Sequence, residues 1–159
     1  MANSEDLITT QGKALLEIEL KRLTEIEVPR LEAEFSSLAN EADPTLKSTG
    51  EAAVRDQKLF LESRISEVSR KISQSSITDP KSILSDSVVF GATVILENVD
   101  REALTLKIVG VDEANIRKDK ISVESRLAKV LLGKKLKDVV ELDMPQGKIK
   151  YTIVELKFV

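Results

Sequence analysis

The sequence predicts an α+β protein in two parts: an N-terminal antiparallel α-helical coiled-coil hairpin, then a mostly antiparallel β-sheet domain with one short helix. Three observations carry this. In the first half, apolar residues recur at steps of three and four, the helical period. In the second half they alternate or run together with β-branched residues, the strand signature. Between the halves, residues 73–87 (SQSSITDPKSILSDS) are rich in Ser with one Asp-Pro, side chains that compete with regular backbone hydrogen bonding. The expected boundaries are an arm at 1–75 with a tip loop at about 41–50, a linker at 76–87, and a globular domain at 88–159.

The elements follow in order. Over residues 13–39, Leu16, Leu20 and Leu23, then Leu31, Phe35 and Leu38, form a heptad seam with a phase slip around Pro29. Thr9 or Thr10 can cap its start, and Pro29 should kink it, because a helix interior loses a hydrogen bond at proline. Residues 51–72 repeat the rule with Val54, Leu61, Ile65, Val68 and Ile72, and Lys58 takes one seam position. Lys58 there is either a snorkelling side chain or a register device. The intervening 41–50 is full of breakers. Neither helix can bury its stripe alone, so the two should pair over roughly 35–40 Å at 1.5 Å per residue.

Strands are expected at 88–97, 103–110, 121–123, 139–143 and 148–158. Pro145-Gln146-Gly147 supplies a turn between the last two. Residues 124–132 read as a short helix with Gly133 as its C-cap.

Composition excludes whole classes of chemistry. The 159 residues contain no Cys, His or Trp. No zinc ribbon, thiolate nucleophile, imidazole base or disulfide can form. Any metal would be a hard cation such as Mg²⁺ on carboxylate and carbonyl oxygens. There is no signal-peptide pattern and no apolar run near the roughly 18–20 residues of a bilayer span, so a cytoplasmic protein without membrane contact is expected. The net charge of −3 divides into −5 for residues 1–80 and +2 for 81–159. The cluster Arg117-Lys118-Asp119-Lys120, with Lys129, Lys134, Lys135 and Lys137, has no interleaved aromatics and reads as a solvated face, not a free-standing nucleic-acid footprint.

Several stretches together resemble the bacterial Gre transcript-cleavage factors of the GreA/GreB type. They are Thr10-Gln11-Gly12, the Leu/Glu heptads with Pro29, residues 60–65 (FLESRI), 89–94 (VFGATV), 108–115 (IVGVDEAN), 121–125 (ISVES), 131–135 (LLGKK) and the Pro145-Gln146-Gly147 hairpin. The resemblance implies a coiled-coil arm and an FKBP-like C-terminal domain without isomerase activity. It also implies a mechanical role: the domain docks on RNA polymerase core at the rim of the secondary channel, and the arm enters the channel. There an acidic tip helps the polymerase hold a second Mg²⁺ for cleavage of backtracked RNA. The factor would be a monomer, a modulator of another enzyme's site and no enzyme itself, with no cofactor bound stably and any Mg²⁺ shared with the polymerase.

The tip departs from the family pattern G-D-L-x-E-N-A-E-Y. Asp43 falls on the motif's Asp, but the Glu position falls on Leu46 or, counted from the other side, on Lys47. Leu46 cannot ligate Mg²⁺ and Lys47 would repel it. Asp43 is therefore a residual Mg²⁺-directed acid or a turn residue, with Glu41 and Glu51, both expected at helix ends, as the nearest substitutes. Weak or absent stimulation of cleavage follows as the expectation. A fully active factor using Asp43 with Glu41 or Glu51 is the alternative, and an FKBP-like interaction protein unrelated to transcription is the more distant one. Arg55 matches a basic arm residue that meets the nascent RNA 3′ end, and reads equally as a solvated charge on the coiled-coil face. Asp112, Glu113 and Ser125 match the polymerase-docking surface, where Arg126 replaces the family's Pro. Turn and N-cap chemistry accounts equally for Asp112, Glu113 and Ser125.

Overall fold

The computed structural model describes residues 6–159 and divides into two compact units. One contains residues 14–74; the other joins the segment up to Lys13 to residues 75–159.

In the first unit, α1 (Thr10–Arg22), a π-helical turn (Leu23–Glu27) and α2 (Val28–Leu38) form one strand of a hairpin; α3 (Pro44–Gln74) forms the other. The seam is as the heptads require: Leu16, Leu23, Leu31, Val54, Leu61 and Val68 are buried, while Phe35, expected on the seam, is 42% exposed. Their spacing explains the π turn. Leu16 to Leu23 is seven residues, as are Val54 to Leu61 and Leu61 to Val68, but Leu23 to Leu31 is eight. One extra residue would rotate Leu31 off the seam of a regular helix. A π turn absorbs one residue and restores the phase. It ends where Val28 N–H donates to the Leu23 carbonyl, five residues back, just before Pro29, which has no N–H to give.

The second helix is longer than the sequence suggests. It begins at Pro44 instead of near 51, so most of the expected 41–50 tip loop is its first two turns. Proline is favoured at the first helical position, where its missing N–H costs nothing. At 31 residues, α3 is about 46 Å long. Gly50 lies on it where an added Cβ would meet Leu38 Cδ2 at 2.6 Å, so the glycine permits close approach of the two helices near the tip.

In the second unit, β1 (Leu7–Thr9) pairs in parallel with β2 (Ser76–Thr78). Residues 76–78 therefore carry structure where a linker was expected, and the first residues of the presumed arm lie with the globular unit. The main sheet contains β3 (Thr93–Glu97), β4 (Ala103–Val109), β5 (Lys120–Ser122), β6 (Val139–Met144) and β7 (Gly147–Lys157), in the order β5-β4-β3-β7-β6. All its pairings are antiparallel except β4–β5. Strand β3 starts five residues later than expected. Val88 is instead tied to the chain after the short helix α4 (Arg126–Leu131) through Val88 N–H to the Lys134 carbonyl at 2.7 Å, and Gly91 turns with φ +88°. Leu96, Ile108, Leu131, Leu142 and Ile153 are fully buried on the face shared with α4 and form the centre of the core.

Register in β7 shifts once. Ile95 pairs with Glu155 and Leu96 with Ile153, so Val154 is a bulge. A bulge reverses the alternation beyond it. Ile153 and Leu156 both serve the core, and Glu155 and Lys157 fall on the opposite face.

Candidate functional site: the hairpin tip and the globular groove

The tip is built by helix capping. Asp43 precedes Pro44, and its Oδ1 accepts the backbone N–H groups of Thr45 at 2.8 Å and Leu46 at 3.4 Å. These are among the N–H groups that a helix start leaves without an internal partner. Glu41 Oε1 in turn accepts Asp43 N–H at 3.0 Å. Both acids are exposed. Glu51, expected at a helix end, sits seven residues past Pro44, about 10 Å along the axis at 1.5 Å per residue. It lies within α3 and is not brought to Asp43. Leu46 is 60% exposed in the first turn, followed by half-buried Lys47.

This donor set does not by itself fit a hard divalent cation. Mg²⁺ asks for several oxygens in near-octahedral geometry. Here one oxygen each of Glu41 and Asp43 is already accepting backbone N–H, and an ammonium side chain follows in the same turn. Among the described residues there is no group of three or more acidic side chains placed to hold a metal. Farther down the arm, Arg55 is exposed on α3 beside a cleft floored by Leu31, Val54 and Leu61.

Below the tip, Arg64 fixes the two helices. Its Nε and Nη2 donate to the two carboxylate oxygens of Glu19 at 2.8 and 3.0 Å, and Nη1 donates to Glu67 at 3.1 Å. The bond to Glu19 holds the guanidinium pKa above its ordinary value in spite of partial burial. Lys71 and Arg64 hydrogen bonds hold the Glu67 carboxyl below its ordinary value.

In the globular unit the four expected docking residues separate into different roles. Ser125 is the N-cap of α4: its hydroxyl accepts Ala128 N–H at 3.2 Å and donates to the Ser122 carbonyl at 2.7 Å. It also lines an apolar groove of about 640 Å³ with Leu104, Ile116, Leu127 and Met144. Ile116 is 86% exposed at its edge. Arg126 is exposed on the first turn of α4, and Asp112 is exposed in the turn after β4. Glu113 points inward. Its carboxylate accepts Thr9 N–H at 3.0 Å, Gly110 N–H at 2.9 Å and the Thr9 hydroxyl. Thr9 Oγ1 also accepts Gly12 N–H at 3.1 Å, which caps α1 as expected. Gly110 and Gly12 are required here, because a Cβ on the first would strike the Leu7 carbonyl and on the second the Glu113 carboxylate.

Sequence reasoning did not find this clasp. Thr9 lies 104 residues from Glu113 in the chain, and the short β1 carries too little pattern to be read as a strand. The only available sign was the pairing of two glycines with a Thr and a Glu inside stretches already singled out.

The family described as "Transcription elongation factor, GreA/GreB, C-term" matches residues 83–158. Transcription elongation factor GreA of Psychrobacter sp. (strain PRwf-1) is 38% identical over 152 residues, covering 94% of this chain and 95% of that protein. The protein of the same name from Trichlorobacter lovleyi is 37% identical over 159 residues, covering 99% of each. Among solved structures, GreA factor homolog 1 of Thermus thermophilus is 28% identical, covers 96% of this chain and 98% of its own, and superposes with a TM-score of 0.42.

Proposed function

The chain belongs to the GreA/GreB family of transcription elongation factors, and from that premise we propose that it binds RNA polymerase core at the secondary channel and modulates backtracked complexes with little or no stimulation of transcript cleavage. The globular unit docks at the channel rim and the helical arm reaches inside. The cleavage chemistry, and any Mg²⁺ it uses, belongs to the polymerase; the factor acts as its accessory.

The tip carries this reading. The family's paired acids are reduced to Asp43, whose Oδ1 caps α3 through Thr45 and Leu46. The second position offers Leu46 or Lys47. An apolar side chain contributes no ligand oxygen, and an ammonium opposes a cation in the same space. The competing reading, a fully active factor using Asp43 with Glu41 or Glu51, needs carboxylates that converge, and Glu51 lies two turns away. Family membership sets aside an interaction protein unrelated to transcription.

The apolar groove with Ser125 and Ile116 is the favoured docking surface on the globular unit, with Arg126 and Asp112 exposed on the same unit. Glu113 supports that surface from inside through Thr9 and Gly110. Arg55 faces the RNA 3′ segment in this arrangement.

A backtracked elongation complex with Mg²⁺, scored for release of the RNA 3′ fragment, tests the proposal. Expected are minimal release, no change with Asp43→Asn, and suppression of the release produced by an active factor in the same tube. Strong release that Asp43→Asn abolishes would establish the competing reading instead.

A further inference from the structure

The face of the main sheet turned away from the core carries a transverse row of side chains. In register, Lys120 on β5 pairs with Lys107 on β4, Lys107 with Thr93 on β3, and Thr93 with Lys157 on β7. Directly paired residues project from the same face of a sheet, with neighbouring strands about 4.8 Å apart. Lys157 joins this face because the Val154 bulge has reversed the alternation of β7. Three ammonium groups and one hydroxyl thus share a strip four strands wide.

Two features of the row are unusual. Thr93 is 6% exposed, and its Oγ1 is buried without a hydrogen-bond partner among the described residues. A buried hydroxyl left unpaired is costly, and native structures rarely retain one without a reason. The Lys107 side chain, meanwhile, reaches past the end of β7: its Nζ donates to the Val159 backbone oxygen at 2.8 Å, and to Gln11 Oε1 at 3.3 Å. The Val159 oxygen marks where an acceptor fits this row.

Two carboxylates, Glu113 and Glu155, meet this lysine row. Glu113 is the carboxylate acting on Lys107, and it already accepts from Thr9 and Gly110. Glu155 approaches Lys157 only to 3.8 Å. Burial, with repulsion from Lys120, depresses the Lys107 pKa, and Glu113 only partly opposes this. An anion among these groups would relieve the repulsion and give the Thr93 hydroxyl an acceptor.

We propose that Lys107, Lys120, Lys157 and Thr93, with Gln11 at the edge, form a binding site for a small phosphate-type oxyanion. Several negatively charged oxygens match three ammonium donors and a hydroxyl donor better than a single carboxylate does. The ligand takes the place of the Val159 backbone oxygen on Lys107. The site lies wholly within the globular unit and does not depend on the transcription reading.

The test is NMR on the ¹⁵N-labelled full chain, titrated with inorganic phosphate and with pyrophosphate against sodium chloride at matched ionic strength. Saturable shifts are expected at the Thr93, Lys107, Lys120, Lys157 and Val159 amides for both phosphates and not for chloride. Lys107→Gln should weaken binding about tenfold, the loss of one charge-assisted hydrogen bond. Thr93→Val should weaken it several-fold while raising the melting temperature, since it removes the unpaired hydroxyl. If Lys107→Gln disturbs the spectrum as a whole, half-buried Lys157→Gln carries the comparison. Shifts that never saturate, that chloride reproduces, or that persist unchanged in the lysine variants overturn the proposal.

Discussion

Asp43 and Glu113 were both singled out as acids directed at a partner, and each is first a hydrogen-bond acceptor for its own backbone. Asp43 serves the start of α3. Asn caps a helix about as well as Asp, whereas Ala does not. Asp43→Ala should therefore lower stability by about 1 kcal/mol in urea unfolding followed by helical circular dichroism, and Asp43→Asn should leave it near the parent value. A large loss with Asn would mean that the charge, not the cap, matters to the fold. Glu113 is a three-donor acceptor tying β1 to the turn after β4. Glu113→Ala strands those donors, at about 1–3 kcal/mol. The expected readout is faster amide exchange at Leu7–Thr9 with the main sheet unchanged. Equal acceleration throughout β3 and β4 would show that the clasp is not local.

At the level of elements, the hairpin depends on heptad phase and on one cross-helix ion network. Deleting exposed Thr24 returns Leu23 and Leu31 to seven-residue spacing, so the π turn should revert to α-helix with the helical signal preserved. Inserting a residue there should turn Leu31 off the seam and sharply lower the melting temperature. If both changes are equally harmful, the π turn is not a phase device. The Arg64–Glu19–Glu67–Lys71 network predicts a pH dependence. The folded Glu67 carboxyl titrates below its ordinary value of 4.5. Its contribution is present above that value and is lost as pH falls through the lower, folded one. Glu67→Gln should flatten this acid limb of the thermal stability profile. Glu67 is exposed, so the change is small and shrinks further in salt.

For the whole molecule, the decisive prediction is a gain of function. If weak cleavage stimulation follows from the missing tip acid, then Leu46→Glu or Lys47→Glu should raise RNA 3′-fragment release, and Asp43→Asn should then reduce it again. No gain with either would place the difference elsewhere in the arm. The heptads, the alternating strands, the Pro145-Gln146-Gly147 turn and the Thr9 and Ser125 caps were all legible in the sequence. Each is a local pattern whose physics acts within a few residues. The family was legible for a related reason, because several such patterns occur in one order. The β1–β2 pairing, the inward turn of Glu113, the start of α3 at Pro44 and the row from Lys120 to Lys157 were not. A three-residue strand has no periodicity of its own, and a carboxylate's partner a hundred residues away leaves no trace nearby. The breaker-rich 41–50 stretch reads as loop until a proline at the first helical position and an Asp cap tip it into helix. The sequence by itself determined the main helices and strands, though not all their bounds, and which chemistries are absent. Tertiary structure alone decided which charged side chains are spent on the fold and which still face outward, because that depends on strand register and burial, which no local pattern encodes.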